Sequence, residues 1–387
     1  MPDRGWLRLA IGGGMAMLLA MGLGRFSYTA MVPLLIEGGW LSEAEAGYVG
    51  GVNLAGFLLG ALATEWLRRR IALTVILRMA ILAAAIGLLA SALEIGFWWL
   101  AFWRGLLGVT VGIVMVLGLA VTTAVTPETD RPLGTAVIFS GVGCGIFLSG
   151  TLVPWLAQNG ILAAWFGVAI LGLFAAAGAM WGWRDLGAVP FSEHHPDDAP
   201  SVTQPAWCRL LLAHACFSIG LIPHTIYWVD FIARELGQGL SVAGAYWSGA
   251  GVCAVVGPIA GFFLARKIGT PWALVIAFAA LAAEIAAPGF DGAVPILVLS
   301  SIIFGAQPGL SALIAARARD IGHASAMPRL MRQMILINGA GAAIAGLAFP
   351  ALFEAVDSYR SLFWIAGGVM GLGALLAVPW PNLASRH

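Results

Sequence analysis

Arg25 and Arg104 stand inside long apolar runs, the first in Gly22-Leu23-Gly24-Arg25-Phe26-Ser27-Tyr28-Thr29 and the second in Trp103-Arg104-Gly105. A guanidinium held in hydrocarbon costs several kcal/mol and usually persists where it has a task. Counted from the ends of their runs, the two lie about 12 and about 8 residues in, so at about 1.5 Å per residue their depths differ by only about 6 Å. A guanidinium presents a planar fork of donors that matches a carboxylate bidentately, so two at one depth suit a small organic anion. The structural alternative is that each arginine bonds helix carbonyls or a neighbouring helix end. No acidic residue shares their depth in the first half of the chain, since Glu65 lies at the end of its run.

The second half offers different chemistry. One run carries His214, His224, Tyr227, Trp228 and Asp230. His224 and Tyr227, spaced i, i+3, are expected to share a helix face, and Pro223 invites a bend beside them. Histidine titrates near neutral pH, which makes His224 a candidate for both proton coupling and substrate contact. Asp230 is the second proton-coupling candidate, paired with His224 or with Arg234, or else simply part of an interfacial ion pair. His214, near the end of its run, reads as a satisfied interfacial histidine. Gln307 and Pro308 interrupt an apolar run as polar cavity contacts would. Tyr28, Asn53 and Asn338 read either as substrate contacts or as helix–helix hydrogen bonds.

Metal and cofactor chemistry finds no support in the spacing. Cys144, Cys208, Cys216 and Cys253 sit in apolar runs without ligand-like spacing, and read as small residues packed within helices. His194, His195, Asp197 and Asp198 read as a solvated loop. There is no phosphate-binding glycine loop of the Walker type, so the chain is expected to use no ATP. The expectation is no cofactor, no metal and no nucleic acid.

The elements that must position these residues follow from composition. Of 387 residues, 60% are hydrophobic and only 10% charged, against about 45–50% and about 25% in soluble domains. Such a chain is an integral membrane protein without a large soluble module. Breaks divide it into twelve apolar segments, near 8–36, 44–66, 71–93, 96–126, 132–157, 161–183, 206–234, 241–264, 271–289, 293–316, 328–353 and 360–380. All are expected to be helices, because a backbone in hydrocarbon must satisfy its own hydrogen bonds. The first segment is too long for a signal-peptide core and reads as an uncleaved span.

Basic residues set the orientation. The termini and every second loop hold Arg4, Arg8, Arg68, Arg69, Arg70, Arg131, Arg184, Arg209, Arg266, Lys267, Arg317, Arg319, Arg329, Arg332 and Arg386, whereas the other side holds Arg234 and Arg360. An excess of basic loops marks the cytoplasmic side, so both termini are expected there. Tryptophans near segment ends (Trp6, Trp40, Trp66, Trp98, Trp99, Trp181, Trp183, Trp207) read as an interfacial belt. The polar stretch 184–205, with four prolines, reads as a linker between a bundle at 1–183 and another at 206–387.

The halves echo each other. Leu41-Ser42-Glu43-Ala44-Glu45-Ala46 matches Leu240-Ser241-Val242-Ala243-Gly244-Ala245, Gly108 and Gly112 match Gly305 and Gly309, and Gly145, Gly150 and Pro154 match Gly341, Gly346 and Pro350. The order is the same and the offset nearly constant. This is a duplicated six-helix unit, the parallel-repeat plan with a substrate site between the halves.

With these features the chain resembles the major facilitator superfamily over essentially its whole length. The superfamily's loop signature between spans two and three, G-x-L-A-D-R-x-G-R-R, appears as Gly60-Ala61-Leu62-Ala63-Thr64-Glu65-Trp66-Leu67-Arg68-Arg69-Arg70, with the acidic position shifted to Glu65. The resemblance implies gating roles for Glu65, Arg68 and Arg69, and for Arg266 in the second copy. Span five resembles the antiporter signature through Gly141, Gly145 and Gly150, with Ile146 and Ser149 replacing a proline and a glycine. Close packing by small residues explains the same pattern. The first span also looks like a poorly characterised bacterial branch, which implies the bacterial inner membrane. In this fold spans one, four, seven and ten line a central cavity, so Arg25 and Arg104 are expected to face one pocket, and Arg104 matches a superfamily arginine. Spans three and nine are peripheral, so Arg78 and Glu284 are expected to snorkel to an interface.

The expected protein is an all-α membrane protein and a monomeric secondary transporter. Its two halves would rock about a small, anionic organic solute, with proton coupling or exchange. Efflux of neutral or amphipathic compounds is the competing reading, and a non-transporting sensor or a channel a more distant one. An intramembrane enzyme would need a nucleophile–base set at one depth, and His214 and His224 do not face the same way.

Overall fold

The computed structural model describes residues 5–186, 204–322 and 324–379, all helices and short loops with no strand among them. His194, His195, Asp197 and Asp198 lie outside the described residues. Eleven helices are long and apolar enough to cross a membrane, and a bent pair supplies a twelfth. They are α1 (Gly5–Glu37), α2 (Glu43–Arg68), α3 (Leu73–Ala90), α4 (Phe97–Val125), α5 (Arg131–Ala157), α6 (Ile161–Gly182), α7 (Pro205–Glu235), α8 (Leu240–Ile268), α9 (Thr270–Phe290), α10a (Val294–Gly305) with α10b (Pro308–Ile321), α11 (Met327–Val356) and α12 (Tyr359–Ala377). Every expected segment is found, with ends displaced by a few residues.

Local chemistry explains the boundaries. Ser42 and Glu45 form a reciprocal capping box that starts α2: Ser42 N–H donates to Glu45 Oε2 at 2.8 Å and Glu45 N–H to Ser42 Oγ at 3.3 Å. The helix crossings shift the sequence match of Leu41–Ala46 with Leu240–Ala245 by two residues: Gly239, at φ 80°, stands where α2 has its N-cap Ser42, and Val242 where α2 has Glu45, so α8 has no capping box. Pro308 removes the amide that would continue α10a, and the two halves bend by 40° there. Three other spans carry widened turns: Leu18–Phe26 in α1, Val114–Gly118 in α4 and Phe231–Glu235 in α7. Such π turns cluster at functional sites, and the one in α1 contains Arg25.

The repeated glycines occupy equivalent crossings. Gly56, Gly60, Gly108 and Gly112 let α2 and α4 approach backbone to backbone, as Gly257, Gly261, Gly305 and Gly309 do for α8 and α10. Gly47 meets Pro350 where α2 crosses α11, and Gly244 meets Pro154 where α8 crosses α5. The fold is therefore two pseudo-symmetric six-helix bundles, meeting along two seams, α2 with α11 and α5 with α8.

Both seams are tight at the end away from the arginine-rich loops. A Cβ on Gly51 would collide with the Gly346 carbonyl, and one on Gly150 with Gly244 and Ser248. Polar ties reinforce the same end. Arg234 Nη2 donates to Glu43 Oε1 at 2.7 Å, Tyr48 Oη to Glu354 Oε2 at 3.1 Å, and Thr29 Oγ1 to the Thr225 carbonyl. At the basic end a cleft of about 190 Å³ opens between α2, α4 and α11, lined by Glu65, Arg68 and Arg332.

Several expectations need correction. Trp183 and Trp207 are each only 2% exposed. They are packed within the protein, donating to the Leu9 carbonyl at 3.2 Å and to Gln333 Oε1 at 2.9 Å, so they are not belt residues. Cys144 and Cys208 lie on the outer helix surface rather than inside.

Candidate functional site

The geometry brings Arg25, Tyr28, Asn53 and Arg104 together at the crossing of α1, α2 and α4. Gly105 and Gly108 on α4 let α2 come close, which places Asn53 against α4's backbone. Asn53 Nδ2 donates to the Arg104 carbonyl at 2.8 Å, fixing that turn. Arg104 is 1% exposed, and its guanidinium carbon sits 4.6 Å from the Tyr28 ring centroid. Tyr28 is anchored by its hydroxyl, which donates to the Ala46 carbonyl at 2.9 Å.

The charge balance is the main feature. Arg104 Nη2 donates to the Arg25 carbonyl at 3.2 Å, while its Nε and Nη1 are buried without a partner. Arg25 is half-buried, its guanidinium 5.4 Å from the Phe26 ring centroid, and its Nε is likewise buried and unpartnered. Neither forms an ion pair with a carboxylate among the described residues. Unsatisfied buried donors are rare because each costs about 1–3 kcal/mol, and more when charged. The cluster is thus short of an acceptor that carries negative charge.

His224 does not join this cluster, whereas Tyr227 reaches its edge: its hydroxyl, buried and without a hydrogen-bond partner, lies against Gly47, next to the Ala46 carbonyl that accepts from Tyr28. Instead of sharing a face they diverge, because α7 is buried on every side and each ring has its own neighbours. His224, 0% exposed, turns toward α9 and α10a, where Nε2 lies 2.9 Å from Ser300 Oγ and 3.4 Å from Glu284 Oε2. Trp228 and Phe304 stack on its ring, with centroids at 4.4 and 5.3 Å. Tyr227 turns toward Gly47, Phe353 and Tyr359. Asp230 pairs with Arg234 at 3.3 Å and accepts from the Tyr359 hydroxyl at 2.5 Å, so His224 is not its partner.

Glu284 overturns its sequence reading. It is 3% exposed and bonded to Ser300 Oγ at 2.8 Å rather than snorkelling to an interface. Arg78 does reach an end, donating to the Arg184 carbonyl at 3.4 Å. Gln307 precedes α10b at the bend without a side-chain capping bond, and Asn338 is half-buried on α11. Glu65 pairs along α2 with Arg69 at 3.2 Å and Arg68 at 4.0 Å, while Arg266 is exposed at the end of α8. Gly141 and Gly145 seat α1 against α5, and Gly150 seats α8. Sequence reasoning missed Thr29, Glu43, Ser300 and Tyr359. Of these only Glu43 carries a signal, a charge at the first turn of an apolar run.

Residues 17–378 match the profile of a family described as "Uncharacterised MFS-type transporter YbfB". A segment of 118 residues is 31% identical to "Sugar transporter ERD6-like 15" of Arabidopsis thaliana, covering 30% of this chain and 25% of that protein. The chain thus aligns with only about a quarter of the length of the curated relative it matches. Among solved structures, a D-xylose-proton symporter superposes with a TM-score of 0.76 at 15% identity, covering 98% of each chain. The xylose transporter XylE from E. coli, in a partially occluded inward open conformation, gives 0.73 at 14% identity over 100% of each chain. A peptide transporter POT in complex with sulfate gives 0.76 at 15% identity, covering 97% of this chain and 94% of that one. At these identities the likeness is one of fold.

Proposed function

The chain belongs to the major facilitator superfamily, and from that premise we propose that this multi-pass membrane transporter carries a small organic anion, of the carboxylate class, by proton-coupled alternating access. One observation carries the reading: Arg104 and Arg25 leave three guanidinium nitrogens buried without an acceptor at the α1–α4 crossing. A carboxylate supplies two acceptor oxygens in the geometry a guanidinium fork prefers. In a water-poor pocket that attraction is much stronger than in bulk solvent.

The bundles at 1–183 and 206–387, joined through 184–205, rock about this site as a monomer. The basic loops and both termini face the cytoplasm of a bacterial inner membrane. With that orientation the sealed seams close the outer side, and the cleft beside Glu65, Arg68 and Arg332 opens inward. Cation–carboxylate contacts at that cleft form and break as the inner side closes and opens.

A neutral sugar is the second reading, favoured by the segment similar to a sugar transporter. Thermal stability of the purified protein separates the two. Lactate and gluconate should raise the unfolding midpoint, and Arg104→Ala should remove the response. Stabilisation by xylose alone, with no response to either carboxylate, would replace the anion reading with the sugar one.

A further inference from the structure

Glu284 and His224 take no part in the anion cluster, yet both side chains are wholly shielded from solvent. They are joined through one hydroxyl. Ser300 Oγ lies 2.8 Å from Glu284 Oε2 and 2.9 Å from His224 Nε2, while Glu284 Oε1 and His224 Nδ1 have no hydrogen-bond partner. The three residues come from α9, α10a and α7, so the chain ties together three helices of one bundle.

Proton counting defines what this chain can do. A serine hydroxyl has one hydrogen and can accept while it donates. With Glu284 ionised, neutral His224 donates Nε2–H to Ser300 Oγ, and the hydroxyl donates to the carboxylate. With one proton more, the Glu284 carboxyl O–H donates to Ser300 Oγ, the hydroxyl donates to His224 Nε2, and the neutral imidazole is in its other tautomer, with its one proton on Nδ1 instead of Nε2. A concerted shift of two protons along the same bonds converts that second state into carboxylate and imidazolium. Only O–H and N–H bonds form and break, and the chain gains or loses one proton in all.

The surroundings make that proton count matter. A lone carboxylate in such a place costs several kcal/mol, and no Lys or Arg pairs with Glu284 among the described residues. Of the ionisable groups on neighbouring helices, Asp230 of α7 is already held by Arg234 and by Tyr359 of α12. Tyr246, Cys253, Arg266 and Lys267 of α8, and Arg360 of α12, form no ion pair or side-chain hydrogen bond with Glu284. α10a carries no ionisable side chain, and those of α10b (Arg317, Arg319, Asp320) lie in its last turns. α1 faces this stretch of α7 through Thr29, and no hydrogen bond joins the Arg25 side chain to His224 among the described residues.

A continuous packed path connects the proton chain to the anion cluster. His224 stacks on Phe304, Phe304 on Trp247 at 5.8 Å between centroids, and Trp247 meets Phe26 at 6.1 Å, next to Arg25. The residue after His224 is Thr225, whose carbonyl accepts the Thr29 hydroxyl from the other bundle. Movement of α7 therefore acts directly on the contact between bundles.

We propose that Glu284–Ser300–His224 is the proton-binding site of this transporter, filled in one half of the cycle and emptied in the other, with α7 transmitting its charge state to the bundle interface. This rests on the transporter reading above, and its tests need no transported solute. Infrared difference spectra of the purified protein between acid and alkaline pH should show a carboxylic C=O band that disappears on alkalinisation and is absent in Glu284→Gln. In Ser300→Ala, which keeps both ionisable groups, the band should persist but titrate at a shifted pH. Spin labels at Tyr48→Cys and Glu354→Cys, with the four native cysteines replaced by serine, read the far-end seam. Their distance distribution should change with pH, and Glu284→Gln should hold it in its acid form at every pH. A titrating band retained in Glu284→Gln, or a seam distance with the same pH response in that variant, would overturn the proposal. Both readouts survive if the carried solute proves to be a sugar, so the two failures are distinguishable.

Discussion

The two bundles were built from one repeat, yet they treat buried charge in opposite ways. The amino-terminal bundle holds Arg25 and Arg104 with donors unanswered. The carboxyl-terminal bundle links its buried carboxyl groups to other side chains, Glu284 through Ser300 to His224 and Asp230 to Arg234 and Tyr359, while His214 Nδ1 and Tyr227 Oη have no hydrogen-bond partner. An unanswered cation suits an external anion, whereas an acid–hydroxyl–imidazole chain suits a proton. Duplication supplied the helix crossings, and on the proposals above divergence at a few buried positions separates solute binding from proton binding.

The sharpest way to break this contrast is to empty the first bundle of its cation. Arg104→Ala should weaken carboxylate binding about a hundredfold, since a charge-assisted hydrogen bond contributes about 1.5–3 kcal/mol and each 1.4 kcal/mol is about tenfold. Equilibrium binding of radiolabelled lactate measures it. Arg104→Lys should rescue little, because an ammonium has no bidentate fork.

The seams provide the next test. Gly51 on α2 corresponds to Ser248 on α8, but a Cβ on Gly51 strikes the Gly346 carbonyl whereas Ser248 is accommodated, its hydroxyl donating to the Phe147 carbonyl at 3.1 Å. Gly51→Val should therefore disfavour the closed far end by about 1–3 kcal/mol, seen as a longer Tyr48–Glu354 spin-label distance. Ser248→Gly should leave that distance unchanged. Arg25→Ala should cost about tenfold in lactate binding, less than Arg104→Ala, because half-buried Arg25 can be replaced in part by water.

Smaller effects sharpen the boundary of the closed network. Glu43→Gln removes a partly exposed inter-bundle partner of Arg234 and should relax the seal by about 0.2–1 kcal/mol. Asp185, beyond the end of α6, is held below its usual carboxylate range by a hydrogen bond from Arg8. A lowered native pKa stabilises above the unfolded value and is lost as pH falls through the native one. Asp185→Asn should therefore narrow the difference in unfolding midpoint between neutral and acid pH, with a very small change because the pair is exposed.

The spans were legible in the sequence because hydrocarbon forces helices, and the repeat was legible because glycine spacing records helix crossings. Arg25 and Arg104 announced themselves as charges in apolar runs, whereas Gln307-Pro308, read as polar cavity contacts, turned out to mark the bend in α10. Glu284 was misread for a physical reason: a span apolar all round gives no periodicity to separate its lipid face from its packed face. Its partner Ser300 is an ordinary residue that only the fold brings beside it. His224 and Tyr227 were legible as chemistry but not as geometry, since i, i+3 spacing leaves long side chains free to diverge on a helix buried on all sides.

The central claim, an anion site made by unanswered arginines, is tested most directly by the thermal stability of purified wild-type protein and Arg104→Ala against lactate, gluconate, xylose and tetraphenylphosphonium. The predicted result is a rise of the wild-type midpoint with a carboxylate, abolished in Arg104→Ala, and no rise with the cation. A wild-type protein indifferent to both carboxylates, yet stabilised by xylose or by tetraphenylphosphonium, would contradict it.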